Sequence, residues 1–420
     1  MEIKLTEQQL TAVKMVQDNS ISILTGGPGT GKSTTIKEVL NWANSRRLSV
    51  LQMAPTGKAA KRMQEVTSEY ASTIHRALGC QFDVDGFSFA YNKYSQFPAD
   101  LIIIDELSMV PNDLMASVME AIDPRKTKLL LVGDKGQLPS VGAGAVLRDL
   151  MASSVVPHVE LTMIHRNSGL IVESCHKIAA GQQYDPCKEL KPEDGLNLRH
   201  IEVSTPERIQ EVIRNIVTER IAVRGLDPVW DVQVISPTNS RSALSCDAIN
   251  DVLQGILNPL PAGCAQSADT IFRAKDKVIQ TKNEGIESED GEKVLIVNGD
   301  MGEVVAVDGK KITVKFFDPE RIVKLPLKVN NLLLAYCCTC HRMQGSEAPV
   351  VIIPVHKSFG FFVNRSWIYT AISRAKLFCI TVGQFQAIRE AIGRDDSLRR
   401  KTMLKEKLIE ETLILNQKAA

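Results

Sequence analysis

SILTGGPGTGKST, Ser22 to Thr34, is the stretch on which the fold turns. It opens with an apolar run of strand length and closes on G-x-x-x-x-G-K-[ST], and the residues from Ser33 to Asn44 carry helical spacing. Strand, glycine-rich turn and helix in that order build a phosphate-binding loop. The glycines let backbone N–H groups wrap a phosphate, and the helix N-terminus adds positive potential. Gly27, Pro28, Gly29, Thr30, Gly31, Lys32, Ser33 and Thr34 are the candidate nucleotide ligands. Lys32 is placed to reach the β- and γ-phosphates and Ser33 to hold Mg²⁺. A glycine-rich turn without a ligand is the competing reading, and the flanking strand and helix argue against it.

Outward from that loop, apolar runs alternate with amphipathic stretches. Strands are expected at Ser22–Gly26, Leu48–Ala54, Leu101–Glu106 and Lys128–Asp134, with helices at Ser33–Asn44 and Gly57–Val66. Continuous apolar strands separated by helices indicate a parallel sheet covered on both faces. The second half repeats this texture at Val232–Pro237, Val350–Val355 and Leu377–Gly383. Two segments break it. FDVDGFSFAY, within 80–98, reads as a hairpin about Asp85–Gly86, and 271–327 holds short alternating strands with NGD and DGK turns, the pattern of a small antiparallel barrel.

The expected class is α/β. The domains are 1–158 with the 80–98 insertion, 159–270 with 328–390, the 271–327 insertion, and a helical tail over 391–420.

The formal net charge of +1 argues against histone-like binding of nucleic acid, though not against a basic groove balanced by acidic residues elsewhere. No apolar run approaches the roughly 20 residues of a membrane span, and no signal-peptide pattern follows Met1. A cytoplasmic chain is expected. Its nine cysteines are odd in number and mostly scattered, as reduced thiols would be.

An acidic pair, Asp105 and Glu106, closes LIIIDE at the carboxyl edge where ligands bind in such sheets. Asp105 is expected to hold Mg²⁺ and Glu106 to position or deprotonate an attacking water, with a helix cap as the alternative. Gln137, in GDKGQLPSVGAG, is a neutral hydrogen-bonder placed to sense the γ-phosphate. Arg166 in LTMIHRN and Arg374 in YTAISRAK are candidates to neutralise transition-state charge, or are structural ion-pair partners.

AYCCTCHRMQGSE, Ala335 to Glu347, contains C-x-x-C-H, a cue for haem attachment or for a zinc site. The missing export signal argues against haem, and the missing second ligand pair argues against zinc.

The ordered set resembles the motifs of superfamily-one DNA helicases, in particular the RecD-like class B group that moves 5′ to 3′. LTEQQLTAV is similar to the Q motif, GGPGTGKST to motif I, APTGKAAKRM to Ia and ASTIHRAL to Ib. IIIDELSMV corresponds to motif II, VGDKGQLPSVGAG to III, LTMIHRN to IV, AYCCTCHRMQGSE to V and WIYTAISRAK to VI. The resemblance runs from about Leu5 to about Gly383 and implies two RecA-like domains with ATP in the cleft between them. It implies Gln9 on the adenine and Glu347 near the nucleotide. Thr56, Lys58, His75, Thr339 and His341 would lie on the phosphates of single-stranded DNA. The 80–98 hairpin resembles the family's pin, with Phe87 among aromatics able to stack on a base, or else to pack on the domain. The 271–327 segment resembles its SH3-like domain. The three cysteines of motif V become spectators.

The function implied is an ATP- and Mg²⁺-dependent 5′-to-3′ DNA helicase acting as a monomer on single strands and single-strand/duplex junctions. Replication or recombination proteins are the partner class. A translocase that displaces proteins with little unwinding and an ATP-switched clamp are the alternatives.

Overall fold

In the computed structural model, residues 5–83, 86–163, 169–260, 272–287, 293–308, 310–317, 320–326, 331–395 and 400–419 are described. The chain divides into two compact units, residues 1–168 with 395–420, and 169–394.

The first unit begins with α1 (Glu7–Asp18), β1 (Ile21–Gly26), α2 (Lys32–Ser45), β2 (Val50–Ala54) and α3 (Gly57–Thr67). β3 (Ala71–Thr73), the one-turn α4 (Ile74–Ala77) and the hairpin β4 (Cys80–Asp83)–β5 (Gly86–Phe89) follow. β6 (Leu101–Ile104), α5 (Asn112–Glu120), β7 (Lys128–Gly133), α6 (Val146–Ser153) and β8 (His158–Leu161) complete the sheet. Its order is β3-β2-β6-β7-β1-β8, and every pairing is parallel.

The central strands carry near-continuous apolar runs, LIII in β6 and LLLV in β7, because both faces are covered. Ile23, Ile102, Ile104, Leu129 and Leu131 pack on one side, with Leu114, Val118 and Val146 of α5 and α6. Their neighbours Leu24, Leu101, Ile103, Leu130 and Val132 pack on the other, with Ala12, Ile36, Val39 and Met63 of α1, α2 and α3. The period-two alternation of side chains sorts one apolar run into two cores.

In the second unit, α7 (Gly169–Ala179), β9 (Leu198–Glu202), α8 (Pro206–Asn215), β10 (Val232–Ser236) and α9 (Cys246–Leu257) precede an antiparallel insertion. The insertion contains β11 (Lys277–Gln280), β12 (Glu284–Glu287), β13 (Lys293–Ile296), β14 (Met301–Asp308), β15 (Lys311–Phe317), β16 (Glu320–Pro326) and β17 (Leu332–Leu334). Its main sheet runs β16-β15-β14-β11-β17, and β12 pairs with β13. Alternate residues of β15 (Ile312, Val314, Phe316) point into its core. β18 (Cys337–Thr339), β19 (Ala348–Val355), α10 (Arg365–Ile372), β20 (Ala375–Gly383) and α11 (Phe385–Gly393) follow. The sheet of this unit is parallel, ordered β18-β10-β19-β20-β9. The chain then rejoins the first unit, where α12 (Leu404–Ala419) packs against α6.

The α/β class with parallel sheets is as expected, but three boundaries move. The first unit runs past 158, because β8 (His158–Leu161) pairs with β1. The insertion runs past 327, because β17 pairs with β11. The tail after Arg394 belongs to the first unit rather than standing as a separate piece. Strand β6 also ends at Ile104, which leaves Asp105 and Glu106 beyond it. No helix among the described residues is long and apolar enough to cross a membrane.

Candidate nucleotide and nucleic-acid site

β1 ends at Gly26 and α2 begins at Lys32, so the phosphate loop fills the gap between them. Gly31 caps α2 with φ 89°, a conformation that favours glycine, and makes no side-chain cap. The first N–H groups of α2 are thereby left for an anion. Thr30 Oγ1 donates to Gly27 O at 2.8 Å and closes the turn. Lys32 Nζ donates to Gly26 O at 2.6 Å and to Gly27 O at 3.0 Å, which holds the ammonium over the loop.

Gln9, expected to lie on an adenine, meets the phosphate loop from α1. It is 1% exposed, its Oε1 accepts from Thr6 N at 2.9 Å, and its Nε2 donates to Gly31 O at 3.3 Å. Both ends of the amide are committed to the capping box of α1 and to the phosphate loop. Gln9 therefore ties α1 to the loop. The same α1 is tied to β8 by Gln8, whose amide exchanges hydrogen bonds with Thr162.

Asp105 follows β6, its N–H donating to Met53 O and its Oδ1 accepting from Glu106 N at 2.8 Å. Desolvation raises the pKa of its carboxyl, against the lowering by that N–H, by Lys32 and by Arg62. Arg62, in α3, is a neighbour of the acidic site that sequence reasoning did not single out. Glu106 adopts a left-handed backbone at φ 55°, uncommon away from glycine and frequent at functional sites. Gln137 is 8% exposed; its Nε2 donates to Asp134 at 3.4 Å, and its Oε1 is buried without a partner among the described residues. A buried acceptor without a partner costs about 1–3 kcal/mol, so it marks a place where a donor is missing.

The first unit also carries three candidates for DNA contact. Thr56 caps α3, its hydroxyl accepting from Ala59 N at 3.3 Å, and Lys58 lies in the first turn. His75, in α4, lies beside Phe89 with ring centroids 6.3 Å apart. Burial lowers the His75 pKa, opposed by Asp113, so the imidazole is neutral at about pH 7. Phe89 and Tyr91 pack on the core, and Tyr91 also stacks on Phe97 at 4.9 Å. Their packing follows from the hairpin lying against α4. The Phe87 side chain and all of Arg166 lie outside the described residues.

In the second unit, the stretch that mimics a haem or zinc motif is an edge strand and a turn. Thr339 ends β18 and is 9% exposed, whereas His341 in the following turn is exposed. Cys337, Cys338 and Cys340 are buried and form no disulfide. Cys340 Sγ donates to Trp367 O at 3.9 Å, and burial pushes its pKa up to about 12. Among the described residues no group of three or more His, Cys, Asp or Glu is placed to hold a metal ion. The clamp on this strand was invisible in the sequence: Asn250 of α9 exchanges two hydrogen bonds with Cys337 and donates a third to Leu334 O. Glu347 pairs with Lys376 at 3.6 Å. Arg374 is 3% exposed, with Nε 3.2 Å from Thr370 O, Nη1 3.4 Å from Ser346 O and Nη2 3.2 Å from Ser373 Oγ.

Comparison with known proteins adds a sequence and a fold relationship. The AAA domain family matches residues 4–197 and the UvrD-like helicase C-terminal domain matches 334–382. The ATP-dependent RecD2 DNA helicase of Deinococcus radiodurans is 35% identical over 95% of this chain. The chain spans 52% of that relative's length. The RecBCD enzyme subunit RecD of Mycolicibacterium smegmatis is 29% identical over 92% of this chain and 73% of its own. In fold, the chain is similar to Pif1 helicase from Bacteroides in complex with ADP-AlF3 and single-stranded DNA. That likeness has a TM-score of 0.55 at 19% identity and covers 95% of this chain and 96% of the other. Along nearly its whole length the chain is therefore similar in sequence to RecD helicases, and the stretches that resemble their motifs include the phosphate loop after β1 and the acidic pair after β6.

Proposed function

We infer that the chain is an ATP-driven motor that moves 5′ to 3′ along single-stranded DNA and unwinds duplex ahead of it. The observation that carries this reading is the grouping at one sheet edge. The phosphate loop after β1, the Asp105–Glu106 pair after β6 and Gln137 after β7, whose Oε1 lacks a partner among the described residues, all lie at carboxyl ends of one parallel sheet. Ligands bind at that edge in folds of this class.

The proposed roles follow from the contacts. Lys32 exchanges two neutral carbonyl acceptors for phosphate oxygens, a stronger, charge-assisted bond. Glu106 orients the attacking water and accepts its proton. Gln137 Oε1 finds its partner in that water or in a γ-phosphate proton. Arg374 neutralises the charge developing on the γ-phosphate, a contribution of about 10³–10⁵ in rate. To do so it must leave the oxygens of Thr370, Ser373 and Ser346. Gln9 holds Gly31 in place.

The residues present fit Mg²⁺, for Ser33 and Asp105 are hard oxygen donors and the Asp105 carboxyl carries a desolvation cost that a divalent cation removes. The ion would neutralise phosphate charge. On the nucleic acid, Thr56, Lys58, Thr339 and His341 are assigned to backbone phosphates, and His75 contacts DNA as a neutral ring.

Partial duplexes with a 5′ or a 3′ single-stranded tail test the assignment, with ATP and Mg²⁺ supplied. Unwinding from the 5′ tail alone is expected. Unwinding from the 3′ tail alone would overturn the polarity. In parallel, Lys32→Ala should lower DNA-stimulated ATP hydrolysis at least about 100-fold with the fold intact; retained turnover would remove the nucleotide site.

A further inference from the structure

We propose that Arg400, in the segment leading into α12, is a positioning residue for the loop that presents Gln137. This rests on the reading of Gln137 as a sensor of the γ-phosphate. The Arg400 guanidinium donates to three main-chain carbonyls of that loop: Nη2 to Ser140 O at 2.6 Å, and Nη1 to Gly142 O at 3.0 Å and Gly144 O at 2.9 Å.

The loop needs such a clasp. Gly142 and Gly144 make it intrinsically floppy, and ordering a glycine costs more backbone entropy than any other residue. Gly144 sits at φ 100°, and a Cβ there would overlap the Asn112 side chain. Ordering it turns three carbonyls toward one point, a concentration of partial negative charge. A planar guanidinium can satisfy all three at once, where a water could not supply the charge. Other contacts on the loop are single: Ser140 Oγ donates to Gly142 O at 3.1 Å, and Asn112 N donates to Ala143 O at 3.0 Å.

The clasp is close to the sensor. Only Leu138 and Pro139 separate Gln137 from Ser140, and Leu138 is buried. A shift at Ser140 is therefore passed to Gln137 with little slack. The tail that carries Arg400 is itself fastened to α6. Arg148 donates to Arg400 O at 3.1 Å, and Thr402 Oγ1 donates to Asp149, which also pairs with Arg148. A tail that only needed fastening would be served by those contacts. The guanidinium instead places its donors on the loop, so the Arg400 side chain itself, beyond the docking of the tail, sets the geometry of the sensor. Arg400 acts through Gln137 and touches no substrate.

The test compares Arg400→Ala, Arg400→Gln, Arg400→Lys, Thr402→Val and Lys32→Ala in the full chain. The quantities are kcat and KM of single-strand-stimulated ATP hydrolysis and the thermal midpoint. Positioning predicts that Arg400→Ala lowers kcat about tenfold while KM for ATP stays within about twofold. Gln and Lys should give intermediate rates in that order, since each restores part of the donor set. Thr402→Val loosens the tail without touching the loop and should keep kcat within about twofold. A flat kcat across the Arg400 series, with Lys32→Ala inactive, would overturn the proposal. So would a loss of kcat in Thr402→Val equal to that in Arg400→Ala, which would mean general tail docking. If Arg400→Ala does not fold, a wild-type kcat in Arg400→Gln overturns it and a reduced kcat with normal KM supports it. Activity in Lys32→Ala would instead remove the nucleotide-site reading on which the proposal stands.

Discussion

Asn250 and Cys337 are joined by a reciprocal pair of hydrogen bonds: the Cys337 N–H donates to Asn250 Oδ1 at 2.7 Å, and Asn250 Nδ2 donates to Cys337 O at 3.0 Å. The side-chain amide thus does for the outer edge of β18 what a neighbouring strand would do, while β10 pairs with its inner edge. A third bond, to Leu334 O at 3.2 Å, reaches back to the end of β17. Removing it strands buried main-chain groups. Asn250→Ala should cost about 2–3 kcal/mol in urea unfolding, and Asn250→Asp should also destabilise because it keeps the acceptor and loses the donors. An unfolding curve like that of the wild type would mean that β18 holds its edge unaided.

Arg374 has two possible lives, one in catalysis and one as a brace for the turn after β18. Its guanidinium is buried on Thr370, Ser346 and Ser373 oxygens. Arg374→Ala should bind a fluorescent ATP analogue near normally and hydrolyse ATP about 10³-fold more slowly. Arg374→Lys should recover stability more than rate, because an ammonium lacks the planar fork. Wild-type turnover in either variant would make the residue a brace alone.

The thiols of motif V should be inert in the folded chain. Burial raises the pKa of Cys337, and pushes that of Cys340 to about 12, so neither supplies thiolate near neutral pH. Cys80 and Cys187 are part-exposed. Thiol-reactive labelling read by mass spectrometry should find Cys80 and Cys187 modified first, and Cys337, Cys338 and Cys340 modified only on unfolding. Rapid labelling at Cys340 in the native chain would contradict the packing.

Stability should fall in mild acid. His200, in β9, is held by Thr381 Oγ1 and by Glu202, each at 2.9 Å. Burial lowers its pKa below the ordinary 6.5, outweighing the upward pull of Glu202. The unfolded chain then takes up the proton first. The stabilisation is complete above the unfolded value and is lost as pH falls through the folded one. His75 has the same sign. Thermal midpoints should therefore drop between about pH 7 and about pH 5, and the drop should be shallower in His200→Asn. Equal slopes in the two proteins would assign the acid sensitivity to other groups.

Much of this was legible in the chain. The runs LIII and LLLV are apolar at every position, and only a sheet covered on both faces uses such strands. The phosphate loop was equally plain, because its glycines and Lys32 answer to local chemistry. Strands β9 and β18 escaped notice. LRHIE is too polar, and CCT too short, to be told from loop without the neighbours that pair with them. The early domain boundary has the same origin, since β8 counts as part of the first sheet only through its pairing with β1.

By itself, then, the sequence determined the α/β class, the phosphate loop, the acidic pair and the order of the helicase motifs, all of which rest on residues near one another along the chain. What Gln9, Asn250, Arg374 and Arg400 do was decided by the tertiary structure. Each is a polar side chain whose role is set by the main-chain carbonyls or N–H groups it meets, and those groups look alike at every position of a sequence. Arg400 lies in a charged run where an arginine reads as solvated surface. Folding brings it onto Ser140, Gly142 and Gly144, far away in the chain, because one guanidinium can meet all three carbonyls of that glycine-bearing turn at once.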